Sequence, residues 1–142
     1  MKRGLMLIAL AALLLNTAES CDAAKTTTMH IELTSEGGIS GRGVGGITID
    51  GTAVTAGDGR RECHGELTVD ERDMLAQRVR DAHPERWKTD EGTGHPDQIR
   101  YTLKLSDHPI SWHGEDLSVL PADVRALYTT LWKIRERVLG SC

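Results

Sequence analysis

The apolar positions change period along the chain, and each change marks an element. Leu5 to Leu15 is an unbroken apolar run of eleven residues behind Lys2 and Arg3. A bilayer-spanning helix needs about 20 residues, so this run fits the apolar region of a secretory signal instead. Met29-His30-Ile31-Glu32-Leu33-Thr34 alternates apolar and polar, the period of a half-buried strand, and stops at Ser35-Glu36-Gly37-Gly38. Ile47-Thr48-Ile49-Asp50 before Gly51 predicts a second strand, with Val54 in a short extension.

The period then lengthens. Thr68-Val69-Asp70-Glu71 is a capping box, and Met74, Leu75, Val79 and Ala82 follow at helical spacing until Pro84. Residues 84–97 form a polar loop pinned to the core by Trp87. Ile99, Tyr101, Leu103 and Leu105 alternate with Arg100, Thr102 and Lys104, and Ser106 to Pro109 turns the chain. Ile110 and Trp112 then begin a partner strand that Gly114 closes, completing a hairpin. Val124, Leu127, Leu131, Ile134 and Val138 lie on one helical stripe, widened by Tyr128 and Trp132. Pro121 suits its first turn, Gly140 its end, and Arg135 and Arg137 the negative end of its dipole.

The expected fold is therefore α+β with order β-β-α-β-β-α. A four-stranded antiparallel sheet would carry both helices packed on one face, so that the apolar side of every strand is covered.

Ala18-Glu19-Ser20 puts small residues three and one before the bond to Cys21, as a signal peptidase requires. A lipoprotein peptidase would cut the same bond and leave lipid on Cys21. A lipobox, however, has Leu and a small residue where Ala18 and Glu19 stand. The expected organisation is a signal at 1–20, a short linker at 21–27 and one domain at 28–142. Such a protein is periplasmic or secreted, and it meets a membrane only through lipid on Cys21. Removing Lys2, Arg3 and Glu19 moves the formal charge from −4 to −5, which gives no electrostatic footprint for nucleic acid. In an oxidising compartment the three cysteines tend to pair. Cys21 is terminal and lipid would block it, so Cys63 with Cys142 is the expected disulfide.

Candidate chemistry is sparse. The six histidines include no i, i+4 pair of a zinc enzyme and no H-E-x-x-H. His108 and His113, five apart on a strand, face opposite ways. There is no G-x-S-x-G, and Gly41-Arg42-Gly43-Val44-Gly45-Gly46 lacks the Lys-Ser/Thr of a phosphate loop. Glu115 and Asp116 read as solvated loop carboxylates. Neither catalysis, nor a metal, nor a cofactor is expected. Ten of the fifteen glycines fall between Gly37 and Gly65, and residues 35–46 carry little bulk beyond Ile39, Arg42 and Val44. Such a segment is either a plain hairpin connection or a backbone-rich wedge for another protein's cleft, with Ile39 as apolar anchor.

Ile31-Glu32-Leu33-Thr34-Ser35-Glu36-Gly37-Gly38-Ile39-Ser40-Gly41 resembles the opening of the emfourin family, in which a first strand runs into Ser-x-Gly-Gly and an apolar residue. The likeness continues through the capped helix at Thr68, through Pro96-Asp97-Gln98-Ile99-Arg100-Tyr101-Thr102-Leu103, and through Leu120-Pro121-Ala122-Asp123-Val124-Arg125-Ala126-Leu127. It covers about residues 28–139. Emfourins inhibit thermolysin-like zinc metallopeptidases such as protealysin. The resemblance implies a non-catalytic inhibitor that occludes such a peptidase's cleft with Ser35, Glu36, Gly37, Gly38, Ile39, Ser40 and Gly41. His113, Glu115 and Asp116 form a secondary contact, and the Asp107–Pro109 turn is a further candidate. Unlike these relatives, the chain carries a signal, a cysteine pair and a longer 50–65 stretch. The alternative is a non-catalytic envelope binding or scaffold protein that shares only the fold.

Overall fold

A computed structural model describes residues 28–88, 94, 95 and 97–142. The expected signal at 1–20 and the expected linker at 21–27, Cys21 included, lie outside the described residues, as do residues 89–93 and Pro96. The elements are β1 (His30–Gly37), β2 (Gly46–Asp50), β3 (Ala53–Gly57), β4 (Glu62–Glu66), α1 (Val69–Ala82), β5 (Ile99–Leu105), β6 (His108–His113) and α2 (Ala122–Gly140). Short 3-10 turns at Pro84–Arg86 and Leu117–Val119 follow α1 and precede α2. Among the described residues no helix is long and apolar enough to cross a membrane.

The sheet is antiparallel and six-stranded, in the order β4-β3-β2-β1-β5-β6. That corrects the expected four strands. The two additions, β3 and β4, form a hairpin from the glycine-rich stretch that offered only Val54 as a strand signal. Their inward positions are Val54, Ala56, Cys63 and Gly65, small because α2 crosses close above them. A Cβ on Gly65 would lie 3.3 Å from Val138. Close approach of a helix therefore removed the bulky alternation by which strands are read.

Register aligns the apolar side chains across all six strands. Ile31 stands between Ile49 and Leu105, Leu33 between Ile47 and Leu103, and Tyr101 opposite Trp112. Both helices cover this face. Leu75 of α1 and Val124, Leu127, Leu131, Ile134 and Val138 of α2 close over it, all of them buried. The other face carries Glu32, Thr34, Thr48, Thr55, His64, Arg100 and Lys104. His113 lies on that face and His108 on the helix side, as their spacing predicts.

The local signal holds at the start of α1. Thr68 Oγ1 accepts the Glu71 amide at 3.2 Å while Glu71 accepts the Thr68 amide at 2.9 Å. Trp87 pins its loop by donating Nε1–H to the Ala82 carbonyl at 2.7 Å. Both ends of α2 differ from expectation. Pro121 precedes the helix, and Gly140 is its last residue rather than a left-handed cap. The two late arginines do not simply face the helix dipole. Arg137 pairs with Glu71 on α1 at 2.6 Å, and Arg135 is buried. Cys63 and Cys142 are disulfide-bonded, tying β4 to the residue beyond α2.

Candidate protein-docking loop

β1 leaves the sheet at Gly37, and the chain returns as β2 at Gly46. Between them the loop folds on itself through Gly41 N–H to Gly38 O and Gly43 N–H to Gly37 O, both 3.0 Å. Five of its glycines have positive φ, two of them for reasons beyond the turn. A Cβ on Gly43 would collide with the Ser35 carbonyl, and one on Gly45 with the Gly57 carbonyl. Only glycine lets the loop lie this close to its neighbours.

Two side chains hold the loop's base. Ser35 Oγ accepts the Val44 amide at 2.9 Å and donates to the Gly45 carbonyl at 2.6 Å. Arg135 reaches up from α2, donating Nη2–H to the Val44 carbonyl at 2.6 Å and Nε–H to the Gly57 carbonyl at 2.9 Å. Its third arm meets Glu136. The guanidinium also lies 4.3 Å above the centre of the Trp132 ring. That ring continues an aromatic row: Trp132 stacks on Tyr128 at 5.6 Å, Tyr128 meets Tyr101 and Trp112 edge-on, and the last two stack at 5.4 Å. Burial, then Tyr101 and Glu115 nearby, push the Tyr128 hydroxyl up to about 12.

Above this base, Ile39 is fully exposed, packing against nothing. Burying such a side chain is worth about 1.5–3 kcal/mol, and here that contribution is unspent. A fixed base also reduces the ordering cost a partner must meet.

The expected contact residues separate on inspection. Ile39, Ser40 and Gly41 are exposed at the tip, whereas Ser35 and Gly37 are half-buried struts. Glu36, Arg100 and His113 form one row across β1, β5 and β6, so the second expected segment shares the loop's end of the sheet. Glu36 and Arg100 are 4.0 Å apart and exposed. The His113 ring lies against Gly94. Asp116 accepts the Ser118 amide at 2.9 Å, and hydrogen bonds from the Ser118 side chain and amide hold its carboxyl below the usual value. Asp116 is thus occupied as the cap of a 3-10 turn, and Glu115 beside it is exposed. The Asp107–Pro109 turn lies at the opposite end of the β5–β6 hairpin from His113. Among the described residues no group of three or more His, Cys, Asp or Glu is placed to hold a metal ion.

Arg135 was expected only to face the helix dipole; its hold on the loop was missed, although a signal was present. It stands four residues after Leu131 and three before Val138, on the buried stripe itself. An arginine there needs buried acceptors.

No protein-family description matches the chain, and no curated protein or solved structure is significantly similar to it.

Proposed function

We propose that the chain is an exported, non-catalytic inhibitor of a thermolysin-like zinc metallopeptidase, of the emfourin kind, which it enters with the loop after β1. One observation supports this above the others: Ile39 is fully exposed on a loop whose base Ser35 and Arg135 hold in place. A plain hairpin connection needs neither a buried arginine nor an apolar tip. Both favour a wedge, which binds at lower cost when it is held in one conformation. Residues 38–41 make the main contact, with Glu36 and the His113–Asp116 segment beside them.

The mature chain, purified from an oxidising compartment, should inhibit a peptidase of this class at near-stoichiometric amounts. Ile39→Asp should weaken inhibition by more than tenfold, roughly the loss of one buried anchor, and leave the circular dichroism unchanged. Absence of inhibition across several such peptidases refutes the reading.

The face of the sheet opposite the helices favours the second reading, a binding or scaffold protein. Its Thr34, Thr48 and Thr55 have no covering layer among the described residues. A pull-down from the envelope fraction separates the two, since a scaffold returns a partner other than a peptidase.

A further inference from the structure

Beside the loop after β1, the turn between β3 and β4 (Asp58–Arg61) closes a pocket of about 560 Å3. Ser40 and Arg42 line it from the loop, Asp58 and Arg60 from the turn, and Arg135 from below. Ser40 directly follows Ile39, so pocket and tip belong to one surface.

The charges of this pocket do not balance. The Asp58 carboxylate accepts the amides of Arg60 and Arg61 at 2.9 Å each and the Nε–H of Arg61 at 3.2 Å. Arg135 is spent on two carbonyls and Glu136. The ion pairs among the described residues engage Arg61, Arg72, Arg86, Arg100, Arg135 and Arg137; Arg42 and Arg60, like Arg78, Arg80 and Arg125, meet no carboxylate, and of these five only Arg42 and Arg60 line the pocket. Both are exposed and reach the pocket from different elements. Two unneutralised guanidinium groups thus share a concave surface in a chain of formal charge −4.

A guanidinium fork matches a carboxylate better than it matches water. Two like charges lining one concave surface both gain from an anion placed between them. We infer that the partner engaged by Ile39 presents an acidic surface, and that a carboxylate of that partner enters this pocket between Arg42 and Arg60. The inference rests on the loop after β1 being the contact. It adds the sign of the partner's charge and the register of docking: apolar at Ile39, acidic beside Arg42. Opposite charges around an apolar anchor steer encounter and exclude neutral surfaces.

The test compares inhibition of a thermolysin-like peptidase by four forms of the full mature chain, at about 50 and about 500 mM salt to span weak and strong screening. The wild type should weaken with salt. Arg42→Glu with Arg60→Glu should lose about tenfold or more and most of the salt dependence, as reversed charges at a docking surface do. Arg42→Lys with Arg60→Lys should lose less than the double glutamate variant and keep the salt dependence, since charge is retained while the planar fork is lost. If the double glutamate variant inhibits as well as wild type while Ile39→Asp does not, the acidic-partner inference falls and the loop reading stands. If the wild type inhibits no peptidase of the class, the loop reading falls, and a direct titration decides the pocket. In that titration, 15N amide spectra of the full mature chain are followed as a blocked Glu-Glu dipeptide or inorganic phosphate is added. Shifts at Arg42, Gly43, Gly59 and Arg60 with the dipeptide, absent in the double glutamate variant, support a carboxylate site. No shift, or tighter binding of phosphate than of the dipeptide, overturns it.

Discussion

Arg135→Met tests whether α2 holds the loop after β1 from below. The substitution keeps a long apolar side chain in a buried helical position while removing every donor. It leaves two carbonyls, of Val44 and Gly57, without the charge-assisted partners they have at 2.6 and 2.9 Å. Hydrogen bonds to a charged group contribute about 1.5–3 kcal/mol each. Both acceptors are half-buried, so water recovers part of the loss. The contact with Glu136, which is 58% exposed, adds little. Loss of the cation over Trp132 contributes about 0.5–1 kcal/mol more. The expected total is about 2–4 kcal/mol by urea unfolding. Its signature is local: amide exchange should accelerate at Val44 and Gly45 before the rest of the sheet. Arg135→Lys keeps the charge but has no planar fork, and should lose roughly half as much. A loss below about 0.5 kcal/mol in Arg135→Met, with exchange in the loop unchanged, would refute the clamp, because that is the range of ordinary surface substitutions.

Three further outcomes are expected. Cys142→Ser opens a link between residues 79 apart, which in the chain-entropy model costs about 4–5 kcal/mol; dithiothreitol should destabilise the wild type similarly and leave the variant unmoved. Gly45→Ala places a methyl against the Gly57 carbonyl at a φ of 85°, and should cost about 2–3 kcal/mol in thermal unfolding, from the left-handed backbone and the displaced neighbour together. Burial raises the Glu71 carboxyl, but hydrogen bonds from Arg137 and Thr68 outweigh it and leave it below the ordinary 4.5. A carboxyl depressed by folding stabilises above its unfolded value and loses that effect as pH falls through the folded one. Stability should therefore drop below about pH 4.5, and Glu71→Gln should shrink that drop while costing about 1 kcal/mol at neutral pH.

Much of the fold was legible one element at a time. Ile99 to Leu105 alternates because one side of β5 meets helices and the other does not. The stripe from Val124 to Val138 repeats at helical spacing because one side of α2 meets the sheet. The Thr68 box reports its own hydrogen bonds. The hairpin of β3 and β4 was not legible. Its inward residues were chosen by the closeness of α2 rather than by strand propensity, so Ala56 and Gly65 read as loop.

The loop after β1 divides in the same way. Its glycines, its single isoleucine and its place after a first strand are properties of neighbouring residues, and the sequence by itself determined them; that Ile39 is exposed was decided by the fold. That the loop has a fixed base was decided only by tertiary structure, because the arginine that holds Val44 stands 91 residues further along the chain. So too was the pairing of Arg42 with Arg60 across one pocket, which requires the strand order to bring two turns together. Local pattern records which way each side chain faces. It cannot record which distant backbone carbonyl a buried charge must find, since that partner exists only once the sheet and α2 have met.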